Sequence, residues 1–232
     1  METKIALTAA LALAGLACPP ALAATMDAVS VGSIHIGGHT ASNDDGSEYY
    51  ASGNDDSFSE YGVATFLFTN ADFGGSLTDL ASATFNLTIN DRSFSDGTSL
   101  EVLFSADDFD ADYTGLDYDS SLFNGLDTAD FTSLTSLGVY SVADTSSNGG
   151  AVESIALDLS AVEAELIGQI NAGSEFQLII AVTDASHDIT YSGVGNTFDP
   201  GAPSLTLTAV PEPGSLALVG LGALTLIRRR RA

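Results

Sequence analysis

The chain has 232 residues, 31 of them acidic and 6 basic, for a formal net charge of −25. Such a charge repels nucleic acid and anionic lipid headgroups, which excludes both as expected partners. Cys18 is the only cysteine, so the fold has no internal disulfide and rests on its core alone, unless cations help.

Lys4 supplies a minimal positive start, and Ile5 to Ala17 is almost entirely Ala, Leu and Gly. Ala21-Leu22-Ala23 then forms an A-x-A site placed as a secretory signal peptide requires, so residues 1–23 read as a leader handled by the secretion translocon and signal peptidase. Cys18 invites a lipoprotein reading, but Gly15 stands where Leu is usual and Pro19-Pro20 follows at once. A cut after Ala23 fits better and starts the mature chain at Ala24.

Residues 24–209 are long enough for one domain with a sizeable core, and strand-like alternation recurs through them. Val29, Val31, Ile34 and Ile36 belong to a first strand, broken in phase at Gly32-Ser33. Residues 40–60 read as a polar loop whose large groups are Tyr49, Tyr50 and Phe58. Val63 to Thr69 reads as a strand buried on both faces, and 70–79 as a loop around Gly74-Gly75. The clearest strand is Ala83 to Asn90, apolar on one face and Thr/Asn on the other. Asp96-Gly97 marks a turn into a matching strand of Leu100, Val102 and Phe104. An Asp-rich loop runs from Ala106 to about Thr132. Leu137, Val139 and Val142 suggest a short strand, closed by a turn at 146–150, and Ile155, Leu157 and Leu159 another. Ser160 with Glu163 reads as a capping box opening a helix whose buried face is Val162, Leu166 and Ile170, closed at Asn171-Ala172-Gly173. Strands resume at Phe176 to Val182, Ile189 to Tyr191 and Leu205 to Thr208. Nine or so strands and one helix predict an all-β fold: an antiparallel two-sheet β-sandwich, jelly-roll-like.

Candidate chemistry is sparse. Asp108, Asp110 and Asp112 form D-x-D-x-D, with Asp119 at position 12, the hard-oxygen pattern Ca²⁺ prefers. Against it, Tyr113 stands where an EF-hand needs Gly, and a solvated acidic loop gives the same pattern. The cluster Asn43-Asp44-Asp45 with Asn54-Asp55-Asp56 is a weaker version. Tyr113 and Tyr118, with Tyr49 and Tyr50, form either a sugar-stacking platform or a cover for the loop bases. His35 and His39 have H-x₃-H spacing and with His187 would supply three zinc ligands, but Gly37-Gly38 argues against a shared helix face and nothing in the sequence brings the three together. Neither a nucleophile elbow, a zinc-protease motif nor a phosphate loop is present, so no catalytic residues are assigned and the protein reads as non-enzymatic.

The chain ends in Pro211-Glu212-Pro213, an apolar run from Ser215 to Ile227, and Arg228, Arg229, Arg230 and Arg231. The prolines end the preceding domain, and the arginines hold the far end of the run on the cytoplasmic side. Gly214 to Ile227 spans about 21 Å as helix, short of a ~30 Å hydrocarbon core, which suits a transient signal better than a permanent anchor. Residues 210–232 closely resemble the PEP-CTERM sorting signal of Gram-negative bacteria. The resemblance implies processing by an exosortase after a transient inner-membrane stop, then the cell surface or the exterior, in association with exopolysaccharide. Only Glu2 and Glu212 among the acidic residues leave with the two ends, so 29 remain against Arg92 alone, a net charge of −28. Ser82-Ala83-Thr84-Phe85, Phe176-Gln177-Leu178 and Pro203 to Leu207 also look like the loose strand motifs of carbohydrate-binding-type sandwiches. The function expected is a structural or interaction role at the surface. The alternatives are a carbohydrate-binding module, Ca²⁺-dependent through the Asp108–Asp119 loop, and, less favoured, an extracellular hydrolase.

Overall fold

The computed structural model describes residues 21–36, 48–52, 59–90, 98–106, 134–142, 149–183, 188–196 and 201–210. Within them the chain forms two antiparallel sheets. The four-stranded sheet comprises β1 (Leu22–Asp27), β5 (Leu80–Thr88), β8 (Val152–Leu157) and β11 (Ser204–Ala209), in the order β1-β11-β5-β8. The seven-stranded sheet comprises β2 (Ser30–Ile36), β3 (Glu48–Ser52), β4 (Ser59–Leu67), β6 (Thr98–Ser105), β7 (Thr135–Val142), β9 (Glu175–Val182) and β10 (Asp188–Ser192). Its order is β10-β3-β4-β9-β6-β7, with β2 also paired to β4.

Period-two patterning puts one row of apolar side chains from each sheet into a shared core. Phe176 of β9 is its hub, with ring centroids 6.0 Å from Phe66, 6.1 Å from Phe68 and 5.9 Å from Phe104. Phe85 of the four-stranded sheet meets Phe66 edge-on at 6.1 Å, so aromatic contacts join the two sheets directly.

The outer faces differ. On the four-stranded sheet Thr25, Thr206 and Thr84 share a row, and the Thr25 and Thr206 hydroxyls lie 2.8 Å apart. Asn86 there donates to Ser204 and accepts from Ser154. This is the wet side expected of Ala83–Asn90, but only as far as Asn86. Thr88 and Asn90 are buried, and Gly201 leaves no room for a side chain beside Thr88. On the seven-stranded sheet both faces are buried at the centre. Register aligns Val63, Ile179 and Leu103 in one outward row, and Thr65, Gln177 and Ser105 in the next, all shielded from solvent. The two-sided burial expected from Val63 onward therefore holds and extends to β9, whose Gln177 donates to the Thr65 hydroxyl at 3.3 Å.

Several expectations are corrected. Tyr49 and Tyr50 belong to β3, opposite Tyr191 and Thr190, and not to a loop. β1 begins inside the expected leader and precedes the strand taken as first. β5 and β6 are not a hairpin, because they lie in opposite sheets. The capping box at Ser160 does not form. The Ser160 amide donates to Asp158 Oδ1, the helix runs Glu163–Ala172, and Glu163 Oε1 accepts from the Leu80 amide at 2.9 Å. Glu163 thus ties the helix to β5 instead of capping its own first turn. Thr69 and Asp72 close a short turn instead, the Thr69 amide and hydroxyl both reaching Asp72 Oδ2. The helix face of Val162, Leu166 and Ile170 is buried as expected, and Gly173 ends the helix in the left-handed region at φ 64°.

Asn171 fastens that helix to the 70–79 segment. Its side chain accepts from the Leu77 amide at 2.9 Å and donates to the Leu77 carbonyl at 2.8 Å, as a neighbouring strand would. Asn171→Ala strands both backbone groups and is expected to cost about 2 kcal/mol in urea unfolding. Asn171→Asp should do no better, since it sets an acceptor against the Leu77 carbonyl.

Candidate functional site

Two places in the fold are candidates for function: the pole where the described fold begins and ends, and a cleft on the seven-stranded sheet. At the pole, β1 and β11 run antiparallel, which sets Leu22 opposite Ala209 and Ala23 opposite Thr208. β11 is the inner strand, paired on its other side with β5. The Val210 amide donates to the Asp79 carbonyl at 3.1 Å, and the next residue, Pro211, has no N–H to continue the ladder. Chain entry and exit therefore sit side by side. Ala21 precedes β1, and Ala23 lies exposed within it. A cut after Ala23 leaves Ala24 to Asp27 still paired with Leu207 to Ser204, with Ala24 buried.

The cleft is lined from several strands. Ala181 of β9 lies opposite Glu101 of β6, and Tyr61 of β4 lines the same space, so small Ala181 leaves room beside the two larger groups. Leu103 and Ser136 line one wall, Thr183 stands at the far end, and the space amounts to about 380 Å³.

A β-bulge shapes this wall. β7 pairs Gly138 with Val102 but Ser136 with Leu103, so Leu137 is the extra residue. Leu137 turns into the core, Ser136 faces the cleft, and the phase of β7 reverses. This explains why Val139, expected to lie with Leu137, is 59% exposed, while Tyr140 packs toward the core. Gly138 takes φ 130°, and a side chain there would strike the Tyr140 ring. The Tyr140 hydroxyl donates to the Leu137 carbonyl at 2.7 Å and clips the bulge shut. Burial raises the Tyr140 hydroxyl above its usual pKa, against the lowering effect of the Asp158 amide, so the clip keeps its proton. Nearby Asp158 is held below the usual carboxylate range by the Ser160 amide and hydroxyl.

Elsewhere a fully buried tyrosine, Tyr191, donates to Glu153 Oε2 at 2.6 Å across the two sheets. This pair, like the cleft, escaped sequence reasoning. Tyr61, Ala181 and Glu101 sit on three strands far apart in sequence, and only the folded sheet brings them to one cleft.

Of the residues singled out in the sequence, Asp108, Asp110, Asp112, Asp119, Tyr113 and Tyr118 lie outside the described residues, as do the clusters at 43–45 and 54–56, and His39 and His187. His35 is in β2, opposite Glu60. Pro211, Glu212, Pro213 and Arg228 to Arg231 also lie outside them. Among the described residues no helix is long and apolar enough to cross a membrane, and no group of three or more His, Cys, Asp or Glu is placed to hold a metal ion.

Residues 209–231 match the family model of the PEP-CTERM protein-sorting motif. No curated protein matches the chain. The match begins at the last residue of β11, so the sorting segment starts where the described fold ends. It implies an exosortase as the kind of processing partner and is consistent with an exported, cell-surface protein.

Proposed function

We propose that the chain is a non-enzymatic surface or matrix protein, exported under its leader and held for a time at the inner membrane by its apolar run and arginines. An exosortase then processes the tail, and the β domain passes to the cell surface or the exopolysaccharide layer. The supporting observation is the junction at β11. The last ladder bond, Val210 to Asp79, falls one residue before Pro211, so the tail can be removed without taking a strand from either sheet. An acidic domain with one arginine stays soluble and does not cling to anionic lipid once released.

The intact mass of protein isolated from its native host tests this directly. The expected mass runs from Ala24 to a point between Pro211 and Pro213, plus any glycan. A mass that retains Arg228 to Arg231 overturns tail removal and leaves a permanent anchor. A mass that begins at Met1 overturns leader cleavage.

A further inference from the structure

We infer that the cleft between Tyr61 and Glu101 is a binding site for a neutral sugar unit of a polysaccharide. Three features carry this. The space of about 380 Å³ lies in the range of small-ligand sites. Its lining combines Tyr61, Glu101 and the hydroxyl residues Ser136 and Thr183 with apolar Leu103, Leu134 and Val182, over a floor kept low by Ala181. A sugar ring presents apolar C–H faces that suit an aromatic, and hydroxyl pairs that suit a carboxylate acceptor. Finally, the bulge at Leu137 removes a leucine from this wall and supplies Ser136, a local irregularity of the kind that re-aims a side chain beside a site.

The alternatives fit less well. One carboxylate falls far short of the six to eight oxygens of a Ca²⁺ shell. A purely apolar ligand would leave Glu101 desolvated and unpaired. An acidic polymer would be repelled by the domain's own charge. A neutral, hydroxyl-rich ligand suits this lining better than any of these three. This reading rests on the extracellular role for its source of polymer, but binding in solution succeeds or fails independently of how the tail is processed.

The test is affinity electrophoresis of the full-length chain in mild detergent, through gels containing dextran, galactomannan, a mixed-linkage β-glucan or the host's own neutral polysaccharide. Alginate serves as the acidic comparison. At least one neutral polymer is expected to retard the chain, and alginate not to. Glu101→Gln is expected to weaken retardation about tenfold, by loss of a charged acceptor. Ala181→Leu, which fills the floor, should abolish it. If Ala181→Leu does not fold, Glu101→Gln decides alone, since Glu101 faces outward. No retardation by any neutral polymer overturns the proposal. So does retardation that survives both substitutions, or that is equal in alginate.

Discussion

Phe176→Ala is expected to lose about 3–5 kcal/mol of stability. Phe176 is 1% exposed, and its ring is close to Phe66, Phe68 and Phe104 together. Truncation leaves a cavity bounded by three rings on stiff strands, which close inward poorly. It also removes aromatic contacts worth about 0.5–1.5 kcal/mol per pair beyond area alone. With no disulfide as reserve, such a loss takes much of the ~5–15 kcal/mol available to a domain. At roughly 2–4 °C per kcal/mol, the melting point should fall by about 6–20 °C. Val152→Ala, at a site 62% exposed, should change stability by less than about 0.5 kcal/mol. A loss under about 1 kcal/mol at Phe176 would mean that the two sheets are not held by this cluster.

Much of this core was legible in the sequence because period two survives along most strands. Phe85 and Leu87 of β5, Leu100, Val102 and Phe104 of β6, and Phe176, Leu178 and Ile180 of β9 all point inward where alternation places them. The legible signal failed where local geometry departed from that period. At Leu137 one extra residue reversed the phase of β7, and nothing in Leu-Gly-Val-Tyr announces a bulge beyond the glycine. β3 was missed because Glu48-Tyr-Tyr-Ala-Ser52 sits inside a long polar stretch, and pairing with β10, some 140 residues on, is what makes it a strand. Ser160 and Glu163 satisfied a local capping rule, but Leu80 offered Glu163 a tertiary partner instead.

The two places bearing on function were legible to very different degrees. The sorting segment is contiguous, and its chemistry lies in residue types: prolines that stop a ladder, an apolar run and a block of arginines. It can be read without a structure. The cleft is assembled from β4, β6, β7 and β9, and its central feature is the smallness of Ala181. No local pattern marks an alanine as a floor; its place opposite Glu101, in a cleft that Tyr61 also lines, does.

A chain ending at Val210 is expected to fold as the full chain does and to be lost from the cell envelope into the medium. The first half follows from β11. Its pairing with β1 and β5 is complete by Ala209, and the Val210 bond to Asp79 is retained. The melting point of the purified fragment should therefore lie within a few degrees of the processed protein's. Truncation six residues earlier, after Ser204, would instead remove the strand between β1 and β5. It would expose Phe85 and Leu87 and leave β1 without a partner, so no folded product is expected. The second half follows from the tail. On the proposed reading, the apolar run is the membrane stop and Pro211 to Pro213 the segment an exosortase reads, and this truncation lacks both. Replacing Arg228 to Arg231 with glutamine separates the two contributions. The motif and apolar run remain, but the proposed cytoplasmic stop is gone, so retention should fall while the folded domain is unchanged. Cell fractionation with immunoblotting gives the answer in one experiment. Equal envelope retention of the Val210 truncation and the full chain would show that the domain itself, and not its C-terminal segment, holds the protein in place.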